Sequence, residues 1–221
     1  MSKLKYSSKS LSFIIPVYNE EKRLQKLLKE ILKFKKKNKN FRFEFIIVND
    51  GSKDNTDKFL KNFFYKENYI KIINLKKNFG KGYALKKGVS IAKNDLIITI
   101  DADLSVKFDQ ILIWLNKYNI DPDKKVYFGS RKHKLSKVKS NLNREFLGFF
   151  LSMIIYILID KKLRDTQCGF KLYPKKLGKI IFKKLNIQGF AHDIELVLIL
   201  KKMKIKILEL PVLWTHKIGS K

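Results

Sequence analysis

The stretch that decides the fold covers residues 96–105 and reads LIITIDADLS. A short, largely apolar run that ends in acidic residues predicts a buried strand, with Asp101 and Asp103 just beyond its carboxyl end. Hard divalent cations prefer oxygen ligands, and a diphosphate must have its charge neutralised before it can leave. The pair therefore favours a site for a metal and a diphosphate, whereas either aspartate alone would also fit an Asx turn.

The same arrangement of a strand followed by polar residues occurs three times before this stretch. Apolar runs at 11–17, 43–48 and 70–75 predict strands, and each is followed by a helical pattern. Strands that alternate with helices predict an α/β fold, a mostly parallel sheet flanked by helices. In such sheets ligands bind beyond the carboxyl ends of the strands. The residues expected at that edge are Tyr18, Asn49, Asp50, Asp101 and Asp103.

The second half of the chain has a less regular pattern. It predicts a helix over 109–119, a strand over 126–129 and a basic run from Arg131 to Ser140 that contains no acidic residue. A loop is expected over 165–173 (DTQCGFKLY), then helices from Pro174 and over 193–203, a strand over 205–210 and a short tail. We find no internal repeat and no linker, which predicts a flexible N-terminus over 1–10 and a single domain over 11–221.

The charge of the chain is strongly positive, with 49 Lys and Arg against 20 Asp and Glu, a formal net charge of +29. Such a charge permits a nucleic-acid-binding protein as the non-enzyme alternative. Only five of the basic residues are Arg, and the aromatic residues are not interleaved with the basic ones as on a stacking platform. We therefore expect no nucleic-acid partner, because strand-end carboxylates would repel phosphates unless a metal intervened.

The single cysteine and the apolar runs bear on location. Cys168 has no partner for an intramolecular disulfide and is expected to be a buried structural residue. The first ten residues lack an apolar targeting core, which predicts a cytoplasmic protein. The longest apolar run, over 146–159, has 14 residues and is too short to span a bilayer. With the basic run before it, it predicts either a peripheral membrane-docking surface or a core helix beside a solvated loop.

Five motifs in order resemble one family over nearly the whole chain. They are IIPVYNEE (14–21), VNDGS (48–52), FGKGYALKKG (79–88), DADLS (101–105) and DTQCGFKLY (165–173). Together they resemble the inverting family 2 glycosyltransferases with the GT-A fold. DTQCGFKLY and the closing WTHKIGSK (214–221) are most similar to the polyprenyl-phosphate branch, in particular its dolichyl-phosphate β-glucosyltransferases.

The resemblance implies a role for each residue that matches a family motif. A nucleotide-sugar site would contain Pro16, Tyr18, Glu20, Asp50, Asp101, Lys217 and Ser220, with Asp50 contacting the base. Mg²⁺ or Mn²⁺ would be held by Asp103, Ser105 and His216, where Ser105 occupies a place that related mannosyltransferases often fill with a longer Gln. Arg131 and Arg144 would bind the acceptor phosphate. Asp101, Asp103 and Arg131 would form the catalytic group.

The implied reaction transfers a hexose, glucose from UDP-glucose, to polyprenyl or dolichyl phosphate with inversion. A phosphate acceptor is already anionic at neutral pH, so positioning and leaving-group stabilisation suffice without a general base. Two alternatives remain within the enzyme class: a GDP-mannose donor, or a saccharide hydroxyl as acceptor. A hydroxyl would need a carboxylate base, for which Asp193 or Asp165 are the candidates, although both also fit capping or ion-pairing roles. A lipid acceptor implies a peripheral position on the cytoplasmic face of a membrane.

Overall fold

A seven-stranded sheet forms the centre of the structure. The computed structural model describes residues 10–63, 67–120, 125–139, 163–189 and 191–217. The strands are Leu11–Val17 (β1), Phe43–Asn49 (β2), Ile70–Asn74 (β3), Leu96–Thr99 (β4), Lys125–Ser130 (β5), Lys137–Lys139 (β6), Lys171–Pro174 (β7), Lys206–Pro211 (β8) and Leu213–Thr215 (β9). The helices are Glu21–Lys37 (α1), Thr56–Phe63 (α2), Lys81–Ile91 (α3), Gln110–Lys117 (α4), Lys175–Lys184 (α5) and His192–Lys202 (α6).

The sheet is mostly parallel, as the alternating pattern predicts. Its strand order is β3-β2-β1-β4-β7-β5-β8, and β7 alone in this sheet runs antiparallel to its neighbours β4 and β5. All other pairs are parallel, so the carboxyl ends of β1, β2, β4 and β5 lie at one edge. Strands β6 and β9 form a separate two-stranded parallel sheet.

Both faces of the sheet are covered by helices, which explains why the strands are almost wholly apolar. In β1, Phe13 and Ile15 point to one face while Ile14 points to the other, as the two-residue period of a strand requires. Helices α1, α2 and α4 pack on the first face, and α3, α5 and α6 pack on the second. The strand ends are thus held rigidly at the edge where the polar residues lie.

The prediction of a continuous loop over 165–173 is wrong at its end, because Lys171–Pro174 is strand β7. This strand is short and contains a lysine and a proline, so it lacks the apolar alternation that indicates a strand. The predicted tail is also partly strand, since Leu213–Thr215 is β9. Both short strands are stabilised by pairing with distant segments rather than by their own propensity.

The described residues begin at Ser10, which the sequence pattern assigns to the flexible N-terminus. Ser10 is buried, its backbone N–H donates to Asp95 Oδ2 at 3.2 Å, and its hydroxyl donates to the same oxygen at 2.9 Å. Among the described ranges, no helix is long and apolar enough to cross a bilayer. The apolar run over 146–159 lies outside these ranges.

Candidate functional site

The acidic loop after β4 is the centre of the candidate site. Leu104 has a φ of 55°, which is uncommon for a residue with a side chain, and its N–H donates to the Asp101 carbonyl at 3.2 Å. The Ser105 N–H donates to Asp103 Oδ1 at 2.8 Å. Backbone strain of this kind persists where surrounding contacts enforce it, and it clusters at functional sites. The loop therefore holds the two aspartates in a fixed arrangement.

Asp101 forms an ion pair that the sequence interpretation did not include. Its Oδ1 lies 2.6 Å from the Lys81 ammonium, at the first residue of α3. Burial raises the pKa of Asp101, but the charge and hydrogen bond of Lys81 outweigh it and the net shift is downward. Burial by itself lowers the pKa of Lys81. The net shift is upward, because the negative charges of Asp101, Asp193 and Asp103 outweigh burial. Both groups stay charged at neutral pH.

Gly169 explains how Asp101 fits beside strand β7. A Cβ atom at this position would lie 2.1 Å from Asp101 Oδ2 and 2.5 Å from its Cγ. No side chain can occupy that space, so only glycine allows the segment before β7 to approach the carboxylate. Thr99 Oγ1 donates to the Gly169 carbonyl at 2.9 Å and holds the two segments together. The FGKGYALKKG and DTQCGFKLY motifs thus meet at Asp101.

Asp50 is buried at the end of β2 and holds a second loop. Its two carboxylate oxygens accept from the Phe79 and Gly80 N–H groups, each at 2.8 Å. Gly80 has a φ of 96°, a conformation that favours glycine, and α3 starts at the next residue. The bidentate contact fixes the N-terminal end of α3, and with it Lys81. The role of Asp50 as a reader of the nucleotide base stays a prediction.

The other residues assigned to the nucleoside pocket follow β1. Pro16 lies past the last pair between β1 and β4, where the sheet does not need its missing N–H. Tyr18 is partly exposed directly after β1. Glu20 accepts from Arg23 Nη1 through both carboxylate oxygens, at 2.9 and 2.8 Å, and its N–H donates to Thr56 Oγ1. Their placement at the carboxyl edge agrees with the predicted pocket, and their contacts with a nucleotide stay predictions.

Arg131 follows β5 and forms a bidentate pair with a buried carboxylate. Its Nε donates to Asp165 Oδ2 at 2.7 Å and its Nη2 donates to Oδ1 at 2.8 Å. Burial raises the pKa of Asp165, yet the Arg131 contacts dominate and the net shift is downward. The guanidinium carbon lies 5.9 Å from the centroid of the Trp214 ring. Asp165 therefore occupies the Nε and Nη2 donors of the guanidinium and fixes its orientation. Nη1 makes no hydrogen bond among the described residues.

The C-terminal segment lies against the acidic loop. The Thr215 N–H donates to the Ser105 carbonyl at 2.9 Å, and Trp214 forms an isolated bridge with Val106. His216 directly follows Thr215, the residue that contacts Ser105. The His216 N–H donates to the Lys139 carbonyl at 2.8 Å. Lys217 is the last described residue. Arg144 and Ser220 lie outside the described residues.

A second buried ion pair lies next to the site. Lys171 Nζ lies 2.6 Å from Asp193 Oδ1, with 3% and 7% of the two side chains exposed. His192 Nε2 lies 3.3 Å from the same oxygen, and burial lowers the pKa of this imidazole despite the Asp193 charge. These residues line a small cavity together with Lys81 and Asp101. The two carboxylates considered as general bases, Asp165 and Asp193, are thus both held in ion pairs.

Cys168 is a structural residue rather than a nucleophile. The side chain is buried, and burial, followed by the Asp165 charge, raises the pKa of its thiol to about 12. The thiol is therefore protonated at neutral pH and a poor nucleophile. This agrees with the sequence interpretation.

The oxygen atoms in the acidic loop fit a metal that is shared with a diphosphate. Among the described residues, no three His, Cys, Asp or Glu side chains converge as a preformed metal site. Ser105 Oγ, however, is buried and has no hydrogen-bond partner within those residues. Mg²⁺ is commonly held by one or two carboxylates together with substrate phosphates and water. Asp103 and Ser105 offer such a partial set, with His216 close by.

Comparisons with known proteins agree with this geometry. A sequence profile described as "Glycosyl transferase family 2" matches residues 12–181. Among curated proteins, the chain is 36% identical over 228 residues to a dolichyl-phosphate beta-glucosyltransferase of Homo sapiens, covering 97% of this chain and 70% of that protein. It is 36% identical over 218 residues to one of Trichomonas vaginalis, covering 96% and 67%. The chain spans about two thirds of the length of these relatives.

Solved structures share the fold at lower identity. Glucosyl-3-phosphoglycerate synthase from Mycobacterium tuberculosis in complex with UDP superposes with a TM-score of 0.68 at 14% identity, covering 97% of this chain and 74% of that one. The same enzyme has been solved with Mn²⁺, UDP-glucose and phosphoglyceric acid. At this identity the likeness establishes the fold, which is the predicted GT-A architecture.

Proposed function

The chain belongs to glycosyl transferase family 2, and we propose that it transfers glucose from UDP-glucose to dolichyl or another polyprenyl phosphate with inversion. The observation that carries this proposal is the 31–36% identity to dolichyl-phosphate beta-glucosyltransferases, such as those of Saccharomyces cerevisiae and Homo sapiens, over 96–97% of the chain. Membership of an enzyme family favours this proposal over the nucleic-acid-binding alternative. UDP-glucose is preferred to GDP-mannose because these relatives are named for glucose transfer.

The donor would bind at the carboxyl edge of the sheet. Asp103 and Ser105, with His216 nearby, would hold Mg²⁺ or Mn²⁺ against the diphosphate. The metal would supply charge neutralisation for the departing nucleotide diphosphate. Asp101 is kept ionised by Lys81 and is fixed by Gly169, so it can orient a sugar or ribose hydroxyl as a hydrogen-bond acceptor. Pro16, Tyr18, Glu20, Asp50, Lys217 and Ser220 remain the proposed nucleotide contacts.

The acceptor is best explained as a phosphate. A phosphate monoester is itself the nucleophile and needs only to be positioned near the anomeric carbon. A hydroxyl acceptor would require a carboxylate that can take up a proton. Asp165 is occupied by Arg131 and Asp193 by Lys171, so neither is poised for that role. This supports a phosphate acceptor over a saccharide hydroxyl, with Arg131 and Arg144 as its proposed cationic partners.

A lipid acceptor implies that the protein works at a membrane. We propose a peripheral position on the cytoplasmic face, where soluble nucleotide sugars and a membrane-bound polyprenyl phosphate can meet. The high positive charge of the chain is consistent with attraction to an anionic surface.

Transfer with purified protein tests the proposal directly. We expect radiolabelled glucose from UDP-glucose to move into the lipid fraction only when polyprenyl phosphate and Mg²⁺ or Mn²⁺ are both present. The product should carry a β-linked glucose by NMR. Labelled GDP-mannose and a saccharide acceptor, assayed in parallel, provide the controls. Faster transfer from GDP-mannose, or transfer to the saccharide alone, would refute the proposed substrates.

The Arg131→Lys variant is expected to lose acceptor binding selectively. A lysine ammonium carries its donors on a single nitrogen, so it cannot reproduce the planar fork that holds Asp165 and leaves a separate nitrogen for a phosphate. Hydrogen bonds to charged groups contribute about 1.5–3 kcal/mol, so the KM for polyprenyl phosphate should rise roughly tenfold to a hundredfold. The affinity for UDP-glucose, measured by calorimetry, should stay unchanged.

Arg164→Lys is the matched control, because the same replacement is made at an exposed position next to Asp165. It should leave both substrates unaffected. Equal weakening of donor and acceptor in Arg131→Lys would indicate a general disturbance of the site. No effect on either substrate would show that Arg131 serves the fold alone.

A further inference from the structure

A ribbon that carries apolar and basic side chains projects beside the candidate site. It consists of residues 131–139, which include β6, and of β9, to which β6 is paired. Three large apolar side chains in this ribbon are exposed, with relative exposures of 68% for Leu135, 40% for Val138 and 49% for Leu213. Exposed apolar side chains are ordinary when scattered, but a group of them marks an interaction surface.

The charge of the ribbon is of one sign. Between positions 131 and 139 there is no acidic residue, and the basic residues are Arg131, Lys132, Lys134, Lys137 and Lys139. The four lysines are exposed. A surface that combines several exposed cations with exposed apolar side chains matches the interface of an anionic bilayer, where headgroups attract the cations and the acyl boundary accepts the apolar groups.

Hydrogen bonds hold the ribbon in this conformation. Ser136 Oγ donates to the Ser130 carbonyl at 2.6 Å and accepts from the Val212 N–H at 3.0 Å. Lys137 and Val138 pair with Leu213 and Trp214 in the small sheet. Leu213 therefore lies on the same face of the small sheet as Lys137 and Lys139, whereas Val138 lies on the opposite face with Trp214.

The ribbon is also connected to both halves of the proposed active site. Arg131, at its start, is the proposed contact of the acceptor phosphate. Thr215, at the end of β9, donates to the Ser105 carbonyl in the acidic loop, and His216 donates to the Lys139 carbonyl. Docking of the ribbon would thus bring the membrane surface next to the residues that must meet a lipid phosphate.

We propose that this ribbon docks on an anionic phospholipid bilayer, with Leu135 and Leu213 in the acyl boundary and the lysines at the headgroups. The proposal rests on the proposed function, because it explains how a lipid phosphate reaches Arg131. It adds the surface that contacts the bilayer and the lipid charge that this surface recognises.

Vesicle sedimentation with the full chain, without donor or acceptor, tests the docking separately from catalysis. The probes are phosphatidylcholine vesicles with and without phosphatidylserine. Three lysines near an anionic surface contribute roughly a hundredfold to binding, so Lys132→Glu/Lys134→Glu/Lys137→Glu should lower vesicle affinity at least that much. Leu135→Glu/Leu213→Glu should weaken binding to the phosphatidylserine vesicles while leaving the lysines in place.

The opposite face of the main sheet provides matched controls, because a chain with a net charge of +29 could adsorb at any basic surface. Helix α5 has exposed Lys176, Lys179 and Lys183 and an Ile180 that is 40% exposed. Two control variants should retain vesicle binding much better than the ribbon variants. They are the triple variant Lys176→Glu/Lys179→Glu/Lys183→Glu and the single variant Ile180→Glu. Equal loss in both sets, or unchanged binding of the ribbon variants, would overturn the proposal.

Transfer to a short, water-soluble polyprenyl phosphate such as citronellyl phosphate separates docking from chemistry. Leu135→Glu/Leu213→Glu should transfer glucose to this acceptor at the wild-type rate and lose activity only with a long-chain acceptor in vesicles. Equal loss with both acceptors would overturn the docking role. Vesicle binding by wild-type protein that transfers glucose to neither acceptor would refute the proposed function and leave the docking surface standing.

Discussion

The Asp103→Asn variant is expected to fold normally and to lose metal-dependent glucose transfer. The asparagine carbonyl can still accept the Ser105 N–H that Asp103 Oδ1 accepts at 2.8 Å, so the acidic loop should keep its shape. An amide has no charge with which to hold a divalent cation against the diphosphate. Neutralisation of the leaving group is worth several kcal/mol, so we expect the rate to fall by roughly a hundredfold or more.

Calorimetry with UDP provides a second measurement for this variant. Wild-type protein should bind UDP more tightly when Mg²⁺ or Mn²⁺ is present, and Asp103→Asn should lose this difference. Asp57→Asn, on α2 outside the proposed metal site, makes the same chemical change and should leave both properties intact. Near wild-type transfer by Asp103→Asn would remove this residue from the metal site.

The Lys171→Met variant is expected to be strongly destabilised. Replacement of the lysine leaves the Asp193 carboxylate, which is 7% exposed, without the ammonium that lies 2.6 Å away in the wild-type protein. Breaking a buried pair by removing one partner costs about 3–5 kcal/mol. The change should be measured as the free energy of unfolding in urea.

Two controls separate the buried charge from the loss of a lysine. Lys61→Met removes a pair with the same 2.6 Å separation from Asp57, but these side chains are 62% and 37% exposed, so the cost should be about 1 kcal/mol or less. The double variant Lys171→Met/Asp193→Leu should recover much of the stability, because no unpaired charge remains. If Lys171→Met and Lys61→Met lower the free energy of unfolding by the same amount, burial does not govern the strength of the Lys171–Asp193 pair.

The first four strands and their polar ends could be read from the sequence, because they depend on local pattern. The predicted strands at 11–17, 43–48, 70–75 and 96–100 match β1 to β4 within one residue at each end. Apolar runs of this length between helical patterns have few other stable arrangements. The position of Asp50, Asp101 and Asp103 at one edge follows from the parallel direction of the strands alone.

Several residues of the site could not be found in this way. Lysine usually indicates an exposed position, so Lys81 and Lys171 gave no signal that each would be a mostly buried partner of an aspartate. The glycines around Lys81 were the available hint, since a tight turn at the start of a helix brings the next side chain close to the sheet edge. The sequence predicts a capping or pairing role for Asp165, and only its contacts identify Arg131 as the partner.

The sequence by itself thus determined the family, the α/β class and the edge at which the acidic residues lie. The tertiary structure decided that β7 enters between β4 and β5, which brings Gly169 against Asp101 and Lys171 to Asp193. It also decided that β9 joins β6 and reaches Ser105. The reason is physical: periodicity reports local burial, whereas the pairing of short strands and buried ions depends on partners that are distant along the chain and become neighbours only when the core closes.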